Sequence, residues 1–176
     1  MICGYKYRIY PNNSQQVLIH KTFGCVRKMW NSLLAQSLDN DNKHYLPKDK
    51  RTKKQYTIPQ IKQEYGYMYE VDALALTGTW RNLKQAWNNH FRKNSPSGVP
   101  RFKKKRYAQS YQTNNLVSKS GNSIRIEGKR IKLPKLGYVK VRLHRSFQGT
   151  IKTVTVRETA SGEFYVSLLV DNQPDK

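Results

Sequence analysis

Acidic residues are scarce in this chain of 176 residues: 11 Asp and Glu stand against 33 Lys and Arg, a formal net charge of +22. Cysteine is scarcer still. Cys3 and Cys25 cannot build a disulfide framework or complete a four-coordinate zinc site by themselves, which points to a reducing compartment. No stretch of 18 uninterrupted apolar residues occurs, so no bilayer span and no membrane partner is expected. The N-terminal MICGYKYRIYP also lacks the apolar segment of a secretory signal, and the expectation is a soluble protein that stays in the cell. Catalytic signatures are missing as well. His20, His44, His90 and His144 are scattered without ligand spacing, and HExxH, GxSxG and Walker sequences do not occur. Glu64, Glu70 and Asp72 are close in sequence, as a two-metal nuclease would need, but a helix start at Asp72 and solvation explain them better. The expectation is no catalytic residue, no metal site and no cofactor within this chain.

What is present is material for a core: 37% apolar residues, with 12 Tyr and 3 Trp, which excludes a disordered basic tail. A compact state with so large an excess of one charge repels itself, and a polyanion bound most of the time relieves that repulsion. A membrane-surface protein would concentrate the charge on one amphipathic helix. Here it is spread along the chain, which favours nucleic acid.

Residues 4–10 alternate Tyr5, Tyr7 and Ile9 with Lys6 and Arg8, the period of a half-buried strand ended by Pro11. Asn12, Asn13 and Ser14 then offer caps for a helix of about two dozen residues. Its apolar positions are Leu18, Cys25, Met29, Trp30, Leu33 and Leu34, and its opposite side carries Lys21, Arg27, Lys28 and Asn31. Gly24 within it weakens the helix by about 1 kcal/mol and marks a candidate bend or break. Residues 39–54 read as a polar loop, and 56–69 as a weaker helix. Asp72 caps a strong helix with an apolar stripe of Leu76, Trp80, Leu83, Trp87 and Phe91, and a polar stripe of Thr77, Arg81, Lys84, Asn88 and Arg92. After the break SPSGVP, strands dominate: a hairpin over 123–133 around Gly128, a strand over 138–143, and a second hairpin pairing 150–156 with 164–170. The predicted fold is α+β, a small OB-like or Greek-key β-barrel with a helical bundle inserted after its first strand.

Residues 101–145 hold 14 Lys or Arg and one acid, Glu127, a net +13. A solvated basic surface is the plainest account of such a run. Two details favour a groove. Tyr107, Tyr111, Gln112, Thr113, Asn114 and Asn115 follow KKKR directly, mixing rings and amides that can stack on bases or bond to their edges. The charge also alternates with Ile, Leu and Val on strands, so it projects from one face of a packed sheet. The candidate nucleic-acid contacts are therefore Lys21, Arg27, Lys28, Arg81, Lys84, Arg92, Arg101, Lys103, Lys104, Lys105, Arg106, Tyr111, Lys132, Lys135 and Arg142. Trp30, Trp80 and Trp87 read as core. The first helix and its successor also allow a helix-turn-helix regulator, which would bind DNA as a symmetric dimer.

YKYRIYPNNSQQ, FGCVRKMWN, VDALALTGTWRNLKQAWNNHFRK, GVPRFKKKR, SYQTNN, IKLPKLGYVKVR and IKTVTVRETASGEFYVSLLV resemble, in order, the N-terminal half of the TnpB family of transposon-encoded, RNA-guided DNA nucleases related to type V CRISPR effectors. The resemblance implies a wedge barrel formed by residues 1–11 and 101–176, with a helical recognition domain, 12–100, inserted in it. It implies a prokaryotic cytoplasmic, nucleoid-associated protein that holds a guide (noncoding) RNA scaffold and reads a short transposon-adjacent motif in double-stranded DNA. Motif-reading positions would fall near Tyr56, Ala73, Thr77, Thr113 and Asn114, and residues 101–106 would line the path of the heteroduplex or scaffold. Family members often carry Lys or Gln where this chain has Ala73 and Thr77. The family continues into a RuvC-like nuclease domain opening on GIDxG, interrupted by a zinc module. This chain stops before that point, at LLVDNQPDK. The expectation is recognition without a nuclease centre, Mg2+ being needed only where a RuvC domain is supplied. One alternative is a split RNA-guided endonuclease whose RuvC half is a separate chain.

Overall fold

The alternation at the N-terminus becomes a strand, β1 (Ile2–Tyr10), that buries Tyr7 and Ile9 and turns Lys6 and Tyr10 outward. The structure, a computed structural model, describes residues 1–39, 57–106, 109–119 and 121–172. The elements that follow are α1 (Asn13–Asp39), α2 (Ile58–Glu64), a 3-10 turn (Gly66–Glu70), α3 (Ala73–Phe91), β2 (Gln109–Asn114), the short β3 (Val117–Ser118) and β4 (Gly121–Asn122), β5 (Arg125–Glu127), β6 (Arg130–Leu133), β7 (Gly137–Arg142), β8 (Thr150–Glu158) and β9 (Phe164–Asp171). The fold is α+β. The chain divides into two compact units, Met1–Phe23 with Ala108–Lys176, and Gly24–Tyr107.

The first unit is built on a seven-stranded antiparallel sheet in the order β2-β8-β9-β1-β7-β6-β5. Strand period two sends alternate residues to one face. That face holds Tyr7, Ile9, Ile131, Val139, Val141, Val154, Val166 and Leu168, all buried. Each such aliphatic side chain removed from water contributes about 1.5–3 kcal/mol before the entropy of ordering it is charged. β1 lies between β7 and β9, so the strand that precedes α1 becomes a central strand only when strands more than 120 residues later flank it. A register shift between Ile151 and Thr153 lets Lys152 stand out while Ile151, Val154 and Val156 all remain buried. Both predicted hairpins form, around Gly128 and Gly162, each at positive φ. β2 was not anticipated; SYQTNN reads as polar, but it pairs with β8 over six positions.

The first turns of α1 belong to this unit. Asn12 caps them, its Oδ1 accepting from the Gln15 backbone N–H while Gln15 Oε1 accepts from the Asn12 N–H, a reciprocal capping box. Gln15 also donates to the carbonyls of Leu136 and Tyr138. Phe23 packs its ring 5.9 Å from that of Tyr111. Gly24 begins the second unit and does not break the helix, which continues to Asp39. The 3.6-residue ladder therefore tolerates this glycine in place.

In the second unit Cys25, Met29, Trp30, Leu33 and Leu34 are buried, as are Leu76, Leu83 and Trp87 on α3 and Ile61 and Met68 between. Asp72 caps α3 by accepting from the Leu74 N–H at 3.0 Å. The stripe on α3 is shorter than its sequence spacing predicts. Trp80, in mid-helix, is half-buried, and Phe91, in the last turn, is 52% exposed. The weak helix predicted over 56–69 is instead α2, capped at Thr57, followed by the 3-10 turn. The polar loop predicted over 39–54 lies almost wholly outside the described residues.

Candidate nucleic-acid interface

The face of the sheet opposite the core is basic and ringed. In register across it stand Arg125 opposite Lys132, Arg130 opposite Lys140, and Arg142 opposite Arg8. Like charges placed directly across a strand pair are destabilising. Two acids temper this face. Glu163 accepts from Arg8, and Glu127 accepts from Arg125. The bond from Arg125, reinforced by Tyr138, holds the Glu127 carboxyl below the ordinary carboxylate range and raises the Arg125 guanidinium.

Three tyrosines sit among these cations. Arg130 lies 5.2 Å from the Tyr138 ring centre and Lys132 5.9 Å. Arg8 lies 5.3 Å and Lys140 5.9 Å from that of Tyr10. Lys6 lies 4.5 Å from that of Tyr165. At exposed sites each contact contributes about 0.5–1 kcal/mol. That is less than the ~1–3 kcal/mol of a base stacked on an aromatic ring, so the cations rest on the rings without locking them.

The second unit presents a different arrangement. Trp30 donates its indole N–H to the Arg101 carbonyl at 2.9 Å. The Asn31 amide donates to the Lys103 carbonyl at 3.0 Å and accepts from the Lys103 N–H at 2.8 Å. These bonds hold the backbone of PRFK against α1 and leave the side chains of residues 101–106 exposed. The Lys103 ammonium rests 4.1 Å from the Trp30 ring centre, and although the residue as a whole is exposed, the protein atoms around the ammonium displace part of its hydration and lower its pKa. Trp30 is core, as predicted, and also a clamp on the basic segment, a role its helical spacing did not reveal.

The predicted contacts divide between the units. In the first, Lys21, Lys135 and Arg142 are exposed and Lys132 half-buried, with Lys135 at a φ of 65° in the turn joining β6 and β7. In the second, Arg81 and Arg92 are exposed, while Lys28 and Lys84 are half-buried, their ammonium groups 4.4 Å and 5.4 Å from the rings of Tyr65 and Trp80. Arg27 is half-buried on α1. Lys104, Lys105 and Arg106 complete the exposed run. Tyr111 and Thr113 require correction: β2 turns them inward, to 5% and 1% exposure, so their side chains support the core and face no ligand in this conformation. Of the motif-reading set, Ala73 is exposed at the first turn of α3, and Thr77 donates its hydroxyl to the Ala73 carbonyl at 3.1 Å. Asn114 accepts from Thr153 at 3.1 Å. Tyr56 lies outside the described residues. Tyr10, Arg130, Tyr138, Lys140 and Tyr165 stand on this outer face too, turned outward by the same alternation that buries their neighbours. Among the described residues no group of His, Cys, Asp and Glu could hold a metal ion, and no helix is long and apolar enough to cross a membrane.

The described residues thus combine an α+β fold with a basic, tyrosine-bearing sheet face and an exposed run of cations. The sequence profile HTH_OrfB_IS605, described as a helix-turn-helix domain, matches residues 1–42; those described form β1 and α1. Over 174 residues the chain is 26% identical to the protein named "Putative RNA-guided DNA endonuclease InsQ" of Escherichia coli K12, covering 97% of this chain and 40% of that protein. It is also 26% identical over 180 residues to a "Putative RNA-guided DNA endonuclease" of Streptomyces pristinaespiralis, covering 96% of this chain and 41% of that one. The chain is thus similar to these two proteins over nearly all of its own length, and it spans about two fifths of theirs.

Proposed function

We propose that this chain is the recognition module of a TnpB-like RNA-guided system, holding a guide RNA scaffold and reading a short DNA motif next to the transposon. The observation that carries this reading is the outer sheet face, where Arg125/Lys132, Arg130/Lys140 and Arg8/Arg142 oppose like charges. Glu127 and Glu163 ease two of these pairs on one side; a polyanion relieves the excess that remains, and the relatives' names supply its class. On this reading the sheet is the wedge barrel (1–11 and 101–176), the helices (12–100) form the recognition domain, and residues 101–106 track a phosphate backbone. Ala73, Thr77 and Asn114 are the described candidates for motif reading. Cleavage then rests on a RuvC-type domain with Mg2+, either outside these 176 residues or on a separate nuclease chain.

The test is binding of a structured RNA and of duplex DNA across a salt series. Log K falls with log salt by about 0.9 for each duplex phosphate neutralised. Affinity that ignores salt, or protein purified from its host free of nucleic acid, overturns the proposal. The helix-turn-helix profile over 1–42 supports a second reading, a DNA-binding regulator. That reading requires a symmetric dimer footprint on DNA without RNA.

A further inference from the structure

Tyr10 lies more than 120 residues of sequence before Tyr138 and Tyr165, yet strand register sets the three on one straight diagonal. Lys140 opposes Tyr10, so Tyr138 stands one strand across and two residues along from it. Tyr165 opposes Arg8, so it stands one strand across and two residues along in the other direction. All three share the outward parity of β7, β1 and β9, and none is buried. With strands about 4.8 Å apart and two residues covering about 6.8 Å, successive tyrosines are rooted roughly 8 Å apart. Neighbouring bases in a duplex strand rise only about 3.4 Å, so they cannot occupy consecutive rings unless the strand is unpaired and stretched.

The geometry points to a stacking track for three consecutive unpaired nucleotides of a single strand. The inference rests on the nucleic-acid-binding reading above and names the form of the ligand at this face. Cations flank every ring: Arg130 and Lys132 at Tyr138, Arg8 and Lys140 at Tyr10, Lys6 at Tyr165. In the free protein they cover the rings. When bases stack, these long side chains swing to the phosphates that arrive between the bases. The ring faces supply affinity without choosing a base, since every base has a π-face.

The test compares the full chain with two triple variants, Tyr10, Tyr138 and Tyr165 all changed to Phe or all changed to Leu. Leucine keeps apolar bulk and removes the ring. The probes are a labelled unstructured 12-mer as RNA and as DNA, and a blunt duplex with the same number of phosphates, all at one salt concentration. The expected result is single-strand affinity within about twofold for the Phe variant, a loss of tenfold or more for the Leu variant, and duplex affinity changed less than twofold in both. A loss confined to the RNA probe identifies the strand as RNA, and equal losses identify any unpaired strand. A Leu variant that keeps single-strand affinity, or loses single-strand and duplex affinity alike, overturns the track while leaving the proposed function standing. Failure of the unaltered chain to bind any probe overturns both. Ultraviolet cross-linking of a thiouridine-bearing strand gives a readout on the unaltered protein: adducts on peptides containing Tyr10, Tyr138 or Tyr165 support the track, and adducts restricted to other peptides overturn it.

Discussion

Replacing Lys132, Lys140 and Arg142 together by Gln removes one cation from each like-charged pair on the outer sheet face, those with Arg125, Arg130 and Arg8. The stability change is then small and the binding change large. Directly opposed cross-strand charges are worth about 0.2–1 kcal/mol each. Three relieved pairs contribute about 0.6–3 kcal/mol at low salt, and the two ring contacts of Lys132 and Lys140 that are lost take back about 1–2 kcal/mol, so the stability of the free protein changes by no more than about 2 kcal/mol. For a chain of this length that is a Tm change of no more than roughly 8 °C, and its charge component shrinks in molar salt as the Debye length falls to about 3 Å. Binding loses three phosphate contacts. The slope of log K against log salt then falls by about 2 on a single strand and nearly 3 on a duplex, a loss of roughly fiftyfold or more near 0.15 M salt. Thermal melts of the free protein and anisotropy titrations in a salt series read the two effects separately. An unchanged salt slope, whatever the melt, refutes the claim that this face meets a polyanion.

Four further outcomes test the reasoning. Asn31→Ala removes both bonds to the Lys103 backbone and costs about 1–3 kcal/mol; the readout is faster amide exchange at Lys103, and unchanged protection there contradicts the clamp. Gly24→Ala raises stability by up to about 1 kcal/mol, because the added Cβ meets only the flexible Arg27 guanidinium, at 4.0 Å; a lower denaturation midpoint refutes this. Gly149→Ala destabilises strongly, since its φ of 119° is strained for an L residue and the Cβ overlaps the Asp171 carbonyl; the dihedral alone costs about 1–3 kcal/mol, and a wild-type melt contradicts it. Glu127, whose carboxyl is depressed by Arg125, contributes stability that is present above the ordinary carboxylate pKa and is lost as pH falls through the lowered one. Glu127→Gln flattens that part of the acid-unfolding curve, and superimposable curves count against it.

Short-range signals account for what was legible. The alternation of Tyr7 and Ile9 with Lys6 and Arg8, the caps at Asn12 and Asp72, and the glycine turns at Gly128 and Gly162 each depend on a few adjacent residues. β2 was missed because its side chains are polar; only pairing with β8 makes QSYQTN a strand, and the resulting parity buries Tyr111 and Thr113. The grip of Trp30 and Asn31 on residues 101–103 spans about seventy positions, and helical spacing says nothing of it.

By itself, then, the sequence determined the charge and most of the α+β elements in their order, and it favoured a polyanion as partner, because a net charge of +22 repels itself in a compact state. The tertiary structure decided where that charge is displayed. Register between strands distant in sequence sets Tyr138, Tyr10 and Tyr165 on one diagonal among opposed cations. A slip of one residue would turn each of them into the core, because side-chain direction in a strand reverses at every step.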